Sequence, residues 1–171
     1  MRTHQAAMAA TLFALAPLAA SAAEPSLNAG DRELEIAASY TSSSPDFGPD
    51  FTLLQVQLRH GWFLTSQHEA GVVGSYVSAD DGSTSISFGQ LGGFYDFNFP
   101  ASGNVVPVVG ASLQLAFGDA EGRVMEVSGG FRVFGSESVS VNTRAFYQIA
   151  DDDGFETKTL GLRLGLSWII D

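Results

Sequence analysis

Hydrophobic and polar residues alternate along most of the chain after residue 31. From Lys158 to Trp168 the even positions carry Lys, four leucines and Trp, whereas the odd positions carry Thr, Gly, Arg, Gly and Ser. A period of two residues places successive side chains on opposite faces of a β-strand. No segment in this part of the chain has the period of a helix. The pattern therefore predicts an all-β fold.

Turn-rich connections divide the alternating residues into eight segments, and we predict one strand in each. The predicted strands span residues 32–41, 52–64, 69–79, 84–99, 105–117, 123–134, 138–149 and 157–170. The third has no clear phase. In the fourth the phase changes between Phe88 and Leu91, which predicts a β-bulge near Gly89. No linker separates the strands, so residues 24–171 are expected to form one domain.

Eight such strands can close into an antiparallel up-and-down barrel with either face turned outward. Alternation alone does not distinguish a soluble barrel from a membrane barrel, because each has one apolar and one polar face. Here the polar face consists mostly of Gly, Ser, Ala, Asn and Gln, with isolated Arg and Glu. These residue types suit a narrow interior, because a barrel of about eight strands encloses room for side chains and little else.

Composition favours the same orientation. Charged residues make up 16% of the chain, against about 25% in typical soluble proteins. A water-facing exterior would normally carry more charge. We therefore predict an eight-stranded antiparallel up-and-down transmembrane β-barrel with its apolar face towards lipid.

The formal charge of -11 argues against nucleic acid as a partner, and the absence of cysteine excludes disulfides and thiol chemistry.

Charged residues on the polar face predict an ion-pair network inside the barrel. Arg163 lies near the middle of its strand, where an arginine facing lipid would cost about 2–4 kcal/mol. Four arginines and four acids are expected to neutralise one another in the interior, Asp96 only if the fourth strand contains the bulge. The predicted network is Glu33, Glu35, Arg59, Asp96, Glu126, Arg132, Arg144 and Arg163.

Counting residues across the hairpins predicts neighbours within this network. Glu33 or Glu35 should lie near Arg59. Arg144 should lie close to Arg163, which is unfavourable unless an acid reaches between them, and we expect Glu35 or Glu126 to do so. The network either satisfies buried charge or gates a narrow pore, and we favour the first.

Aromatic residues cluster towards both ends of the predicted strands, although aromatics are also common in strands generally. Rings of this kind prefer the two membrane interfaces, so we predict two aromatic belts. The belts comprise Tyr40, Tyr76, Phe117 and Tyr147 at one end and Trp62, Tyr95, Phe97 and Trp168 at the other.

The connections between strands also fall into two kinds. The first, third, fifth and seventh are acidic, whereas the second, fourth and sixth are compact and carry little charge. Both termini of a bacterial barrel normally lie on the periplasmic side. The acidic connections are therefore expected to be extracellular loops.

The first 23 residues are typical of a cleavable signal peptide. A short charged region precedes an apolar stretch that ends in small residues, with cleavage expected after Ala22 or Ala23. The stretch is shorter than the roughly 20 residues of a spanning helix, and Pro17 interrupts it. We predict export to the bacterial outer membrane.

Three segments of the chain resemble the small outer-membrane β-barrel proteins of Gram-negative bacteria, such as outer membrane protein X and the transmembrane domain of outer membrane protein A. The first two are HGWFLTSQHEAGVVGSY and GGFYDFNFPASGNVVPVVGASLQLAFGD. The third is the C-terminal assembly signal, matched by Arg163, Gly165, Trp168 and Ile170. Ile170 stands where the family has an aromatic residue, and Asp171 follows it. The resemblance implies a barrel that the outer-membrane assembly machinery recognises.

No catalytic or metal site is expected. His60 and His68 are not placed to share a site, and barrel lipid A deacylases would carry a His-x-Ser motif that is absent here. The leading helix of palmitoyl-transferring barrels is absent as well. The acidic residues at 151–153 and Glu156 could hold Ca²⁺ or Mg²⁺, although they lack the spacing of a calcium loop, and a solvated loop is the preferred interpretation.

The sequence thus predicts a monomeric barrel with a structural or envelope-associated role, without enzymatic activity or a cofactor. Its expected partners are outer-membrane lipid, lipopolysaccharide and the barrel assembly machinery. A narrow channel for ions or small solutes is the first alternative. A soluble periplasmic lipocalin-like binding barrel is the second, and it would require the leucine face to point inward.

Overall fold

The computed structural model describes residues 25–43, 51–80, 82, 84–152 and 155–171. The predicted signal peptide, residues 1–23, lies outside the described residues. The described chain forms eight strands: β1 (Arg32–Ser43), β2 (Phe51–Phe63), β3 (His68–Asp80), β4 (Ser85–Asn98), β5 (Val105–Gly118), β6 (Gly122–Ser136), β7 (Val139–Asp152) and β8 (Phe155–Ile170). In this described part, no helix is long and apolar enough to cross a membrane.

Each strand pairs antiparallel with the next, and β1 pairs with β8 to close the barrel. The predicted up-and-down barrel is therefore confirmed, and every predicted strand overlaps an observed one. Closure leaves no strand with an unpaired edge. We call the end with the β2–β3, β4–β5 and β6–β7 connections the turn end, and the opposite end the loop end.

The apolar face of the strands is the outer surface of the barrel. Leu160 and Leu162 are 71% and 65% exposed, whereas Arg163 between Leu162 and Leu164 is 2% exposed. Alternating residues of β8 thus point in opposite directions, as a period of two requires. A lipocalin-like binder would need the leucines inside, so the structure has the opposite arrangement.

The bulge predicted near Gly89 is wrong. β4 pairs without interruption with both β3 and β5 around this position. Phe88 lines the interior at the loop end, although the inner face was expected to carry polar residues. This apolar residue on the inner face explains the apparent change of phase in the sequence. Gly89 faces outward, and the Phe117 ring from β5 lies over the space that a side chain there would occupy. Aromatic cover of this kind compensates a strand glycine for its missing side chain.

A small apolar core closes the interior at the turn end. It consists of Phe63, Val106, Phe134 and Ile169, with Leu27 from the segment preceding β1 packed against it. The backbone N–H of Gly30 donates a 2.8 Å hydrogen bond to the carbonyl of Phe63, which holds this segment in place. The turn end is therefore closed by side chains.

Replacing Phe134 with alanine should destabilise the barrel by about 3–5 kcal/mol, because its fully buried ring would leave a cavity in this core. Phe131 is the matched control, since it lies on the outer face of the same strand and is 53% exposed. Urea unfolding of both alanine variants in detergent micelles measures the two losses. Equal losses would contradict the assignment of Phe134 to a closed core.

Candidate functional site

Asp96 of β4 lies at the centre of a buried cluster of charges. Its Oδ2 atom is 2.7 Å from the guanidinium of Arg144, 2.9 Å from that of Arg59 and 3.3 Å from that of Arg132. Gly110 is its partner on β5, and a Cβ at that position would overlap the Asp96 carboxylate. The glycine therefore provides the space in which one carboxylate contacts three arginines. Asp96 faces inward without the bulge on which its prediction depended.

Arg132 links this carboxylate to two further acids. Its guanidinium lies 2.5 Å from Glu33 of β1 and 2.7 Å from Glu69 of β3, and the arginine is fully buried. A buried guanidinium is tolerated when acceptors surround it in this way. Three carboxylates from three different strands therefore converge on Arg132.

Glu69 is absent from the predicted network because the phase of the third strand is ambiguous in the sequence. It faces inward, and a Cβ on Gly61 of β2 would overlap its carboxylate. The available signal was that Glu69 lies an even number of residues from Gly71 and Ser75, both of which belong to the small residue types found on the inner face. The second signal was Gly61 on the neighbouring strand, because a glycine there leaves space for the Glu69 carboxylate.

Glu35 of β1 contacts the other side of the cluster. Its Oε2 atom accepts a 2.9 Å hydrogen bond from the Asn142 amide and lies 3.5 Å from Arg59 and 3.6 Å from Arg144. Glu35 stands directly opposite Arg59 in the β1–β2 pairing. The hairpin count thus placed the correct pair of residues side by side.

Arg163 forms a separate ion pair. It lies opposite Arg144 in the β7–β8 pairing, but its two terminal nitrogens each donate a 2.7 Å hydrogen bond to Glu126 of β6. Gln55 accepts a third bond from Arg163 at 3.1 Å. Glu126 therefore neutralises Arg163, while Glu35 and Asp96 neutralise Arg144. The two arginines thus use different acids, instead of sharing one that reaches between them as predicted.

Phenyl rings complete the environment of two arginines. The guanidinium of Arg59 lies 3.7 Å from the centroid of Phe94, and that of Arg163 lies 4.5 Å from the centroid of Phe146. Rings at these distances attract cations. The sequence-based prediction missed both rings, although each occurs in phase with the charged residues of its strand.

The charges of the completed network do not balance. With every group ionised, five acids face four arginines, which leaves one net negative charge. The acids are Glu33, Glu35, Glu69, Asp96 and Glu126, and the arginines are Arg59, Arg132, Arg144 and Arg163. Among the described residues, one carboxylate oxygen of Glu33 and one of Glu69 are buried without a hydrogen-bond partner. With every group ionised, we therefore assign the surplus charge to the side of the cluster where these two acids meet Arg132.

Uncharged polar side chains fill the interior on the loop side of the network. Gln55 donates to Gln90 at 3.3 Å, and Ser75 donates to Gln114 at 3.1 Å. A cavity of about 10 Å³ beside Arg59 is close to the smallest space that holds one water molecule. The side chains thus fill the middle of the barrel.

The eight residues predicted to form aromatic belts lie on the outer face. Seven are exposed and Phe97 is half-buried. At the turn end Phe97 packs edge-on against His68 at 5.2 Å, and a His68 ring nitrogen is hydrogen-bonded to the Tyr95 hydroxyl. His60 packs against Trp62, also on the outside. The two histidines are therefore surface groups at the turn end.

The four residues of the predicted assembly signal divide between the two faces of β8. Arg163 is buried in the network and Gly165 also faces inward, whereas Trp168 and Ile170 are exposed outside.

Of the acidic residues at 151–156, the described side chain of Asp151 is exposed. No three His, Asp or Glu side chains among the described residues are grouped to hold a metal ion.

No protein-family model and no curated protein matches this sequence. Solved structures do share its fold. Neisserial surface protein A has a TM-score of 0.61 at 15% identity, covering 81% of this chain and 96% of that one. The N-terminal β-barrel domain of Pseudomonas aeruginosa OprF has a TM-score of 0.52 at 18% identity, covering 82% and 98%. A de novo designed transmembrane β-barrel has a TM-score of 0.57 at 10% identity, covering 82% and 96%.

The surplus charge predicts unequal losses of stability for two acid-to-amide substitutions. Asp96→Asn should destabilise the barrel by about 3–5 kcal/mol, because three buried arginines lose their shared counter-charge. Glu69→Gln should change the free energy of unfolding by less than about 1 kcal/mol, because it removes the surplus charge and supplies an N–H donor beside Glu33. Urea titrations of both variants measure the difference. A larger loss for Glu69→Gln would show that the charge balance is misassigned.

Proposed function

We propose that this protein is a monomeric β-barrel of the bacterial outer membrane with a structural or envelope-associated role. The observation that carries this proposal is the distribution of side chains, with leucines exposed outside and paired charges enclosed. In water, a continuous apolar exterior promotes aggregation. In a bilayer the same surface contacts acyl chains, and the closed backbone satisfies its own hydrogen bonds.

The dimensions of the barrel support this location. Its strands contain 12 to 16 residues, and a tilted strand crosses a bilayer with about 9–11. The remaining length accommodates an aromatic belt near each end, at the depth of the lipid headgroups. The fold shared with a designed transmembrane β-barrel and with a Neisserial surface protein supports this location, as do the signal-like first 23 residues.

The orientation follows from the positions of the chain ends. Residue 25 and residue 171 both lie at the turn end, which we assign to the periplasm. The acidic connections then face the exterior, beside lipopolysaccharide. Lipid, lipopolysaccharide and the barrel assembly machinery are the partners we propose, the last through the alternation of Arg163, Gly165, Trp168 and Ile170 on β8.

A filled interior favours this role over conduction. The ion-pair network and the amide layer occupy the middle of the barrel, and the apolar core closes the turn end. Neither layer offers a grouping of nucleophile and base that would support catalysis. We therefore propose a barrel that is neither a channel nor an enzyme.

The two tryptophans test the membrane location. Trp62 and Trp168 are the only tryptophans in the chain, and both are exposed outside at the turn end. In vesicles of brominated phosphatidylcholine, bromines near the headgroup should quench their fluorescence more strongly than bromines near the end of the acyl chain. Trp168→Phe isolates Trp62 and should show the same depth dependence. Fluorescence that no brominated lipid quenches would contradict the proposal.

Planar-bilayer recordings test the closed interior. The purified barrel should produce no stepwise current, because its buried ion pairs leave no continuous path for ions. Arg59→Ala and Glu35→Ala indicate whether those pairs act as a gate. Discrete current steps in the unmodified protein, altered by either substitution, would favour the channel alternative.

A further inference from the structure

The loop end of the interior contains a cavity that the structural role does not use. Its volume is about 480 Å³, within the range of about 300–1,000 Å³ found for small-molecule sites. Strands β2, β3, β4, β7 and β8 contribute its walls, and Ala120 from the β5–β6 connection also lines it. The Ser87 backbone N–H donates a 3.1 Å hydrogen bond to Asp119, which holds that connection against β4.

The cavity walls depart from the polar character of the rest of the interior. Leu53, Val77, Ile86 and Phe88 all line this space from the inner face of the barrel. Ile86 is 40% exposed there. The exposed part of this apolar wall has an unfavourable contact with water. A bound apolar molecule would remove that contact.

Polar groups occur where the cavity meets the filled part of the barrel. Gln90 and Gln148 are buried at its floor, and Gln90 is already held by Gln55. These amides offer hydrogen bonds to an uncharged polar group. Among the described residues that line the cavity there is no lysine or arginine, whereas Asp80 is one of them. An anionic ligand would therefore find no counter-charge.

We propose that this cavity binds a small, mainly apolar molecule whose polar group is uncharged or cationic. The apolar part would lie against the wall formed by Leu53, Val77, Ile86 and Phe88. The network below prevents the molecule from passing through, so the site is a cup that is closed at its floor and open at the loop end. Binding would require only the intact barrel, and the inference would therefore survive a failure of the proposed structural role.

Three probes with the same alkyl chain test the proposal: decanol, decyltrimethylammonium and decyl sulfate. Each is titrated into the isotope-labelled, full-length mature barrel in lipid nanodiscs, and backbone amide NMR signals are followed. All three partition into lipid, so the relevant signals are those of the inner positions Gln90, Gln148 and Thr159. We expect saturable shifts there with decanol and decyltrimethylammonium and at least tenfold weaker binding of decyl sulfate.

Two alanines on β7 supply a matched pair of variants. Ala150 lines the cavity, whereas Ala145 is exposed on the outer face. Ala150→Phe should weaken binding at least tenfold by filling the space, and Ala145→Phe should leave it unchanged. Ile86→Ser, at the exposed rim, should weaken binding severalfold without a bulky insertion. Heat-modifiable migration on a detergent gel verifies that each variant is folded.

Several results would overturn the inference. One is the absence of saturable shifts at the inner positions of the unmodified barrel with every probe. Another is equal binding by Ala150→Phe and Ala145→Phe, which would assign the shifts to lipid partitioning. Equally tight binding of decyl sulfate would overturn the stated charge preference.

Discussion

The pairing of buried charge inside a closed barrel is the constraint on which the rest of this structure depends. Four guanidinium groups lie in the middle of the barrel, where the cavity beside Arg59 has room for about one water molecule, so each needs carboxylate or amide partners within reach. Asp96 meets this need for three of them at once. Glycines on neighbouring strands leave space for the acids. Because successive side chains of a strand point in opposite directions, the leucines between the inward-facing residues lie on the outer face.

The fold was predictable because this constraint produces an alternation of apolar and polar residues along each strand, with a period of two residues. Leucines on β8 alternate with Gly161, Arg163 and Gly165. Opposite charges appear at positions that the hairpin register brings together, such as Glu35 and Arg59. Strand order and closure follow from short connections between antiparallel neighbours. Eight strands and the identity of the inner face could therefore be inferred without coordinates.

The remainder could not be inferred because it depends on contacts between distant strands. Glu69 belongs to the network through Arg132, which is 63 residues away in the chain. Phe88 departs from the rule that apolar strand residues face outward, because the interior itself becomes apolar at the loop end. Only the assembled barrel shows that the inner face changes from polar to apolar at the loop end.

From the turn end to the loop end, the interior thus passes through four layers: an apolar core, an ion-pair network, a layer of amides and hydroxyls, and an apolar cup. The first three fill the barrel and suit a structural role. The cup is open and lies on the side we assign to the exterior. A filled barrel with a structural role and a binding site at its loop end can therefore coexist in one small protein.

Contacts between lipid and side-chain methyl groups test the central claim most directly. In a methyl-labelled barrel in nanodiscs, nuclear Overhauser effects from lipid acyl protons should reach Leu160, Leu162 and Leu164 on the outer face. The methyl groups of Val73, which is 1% exposed on the inner face, should show none. Acyl contacts to Val73, or leucine methyl groups that contact only water, would contradict the account.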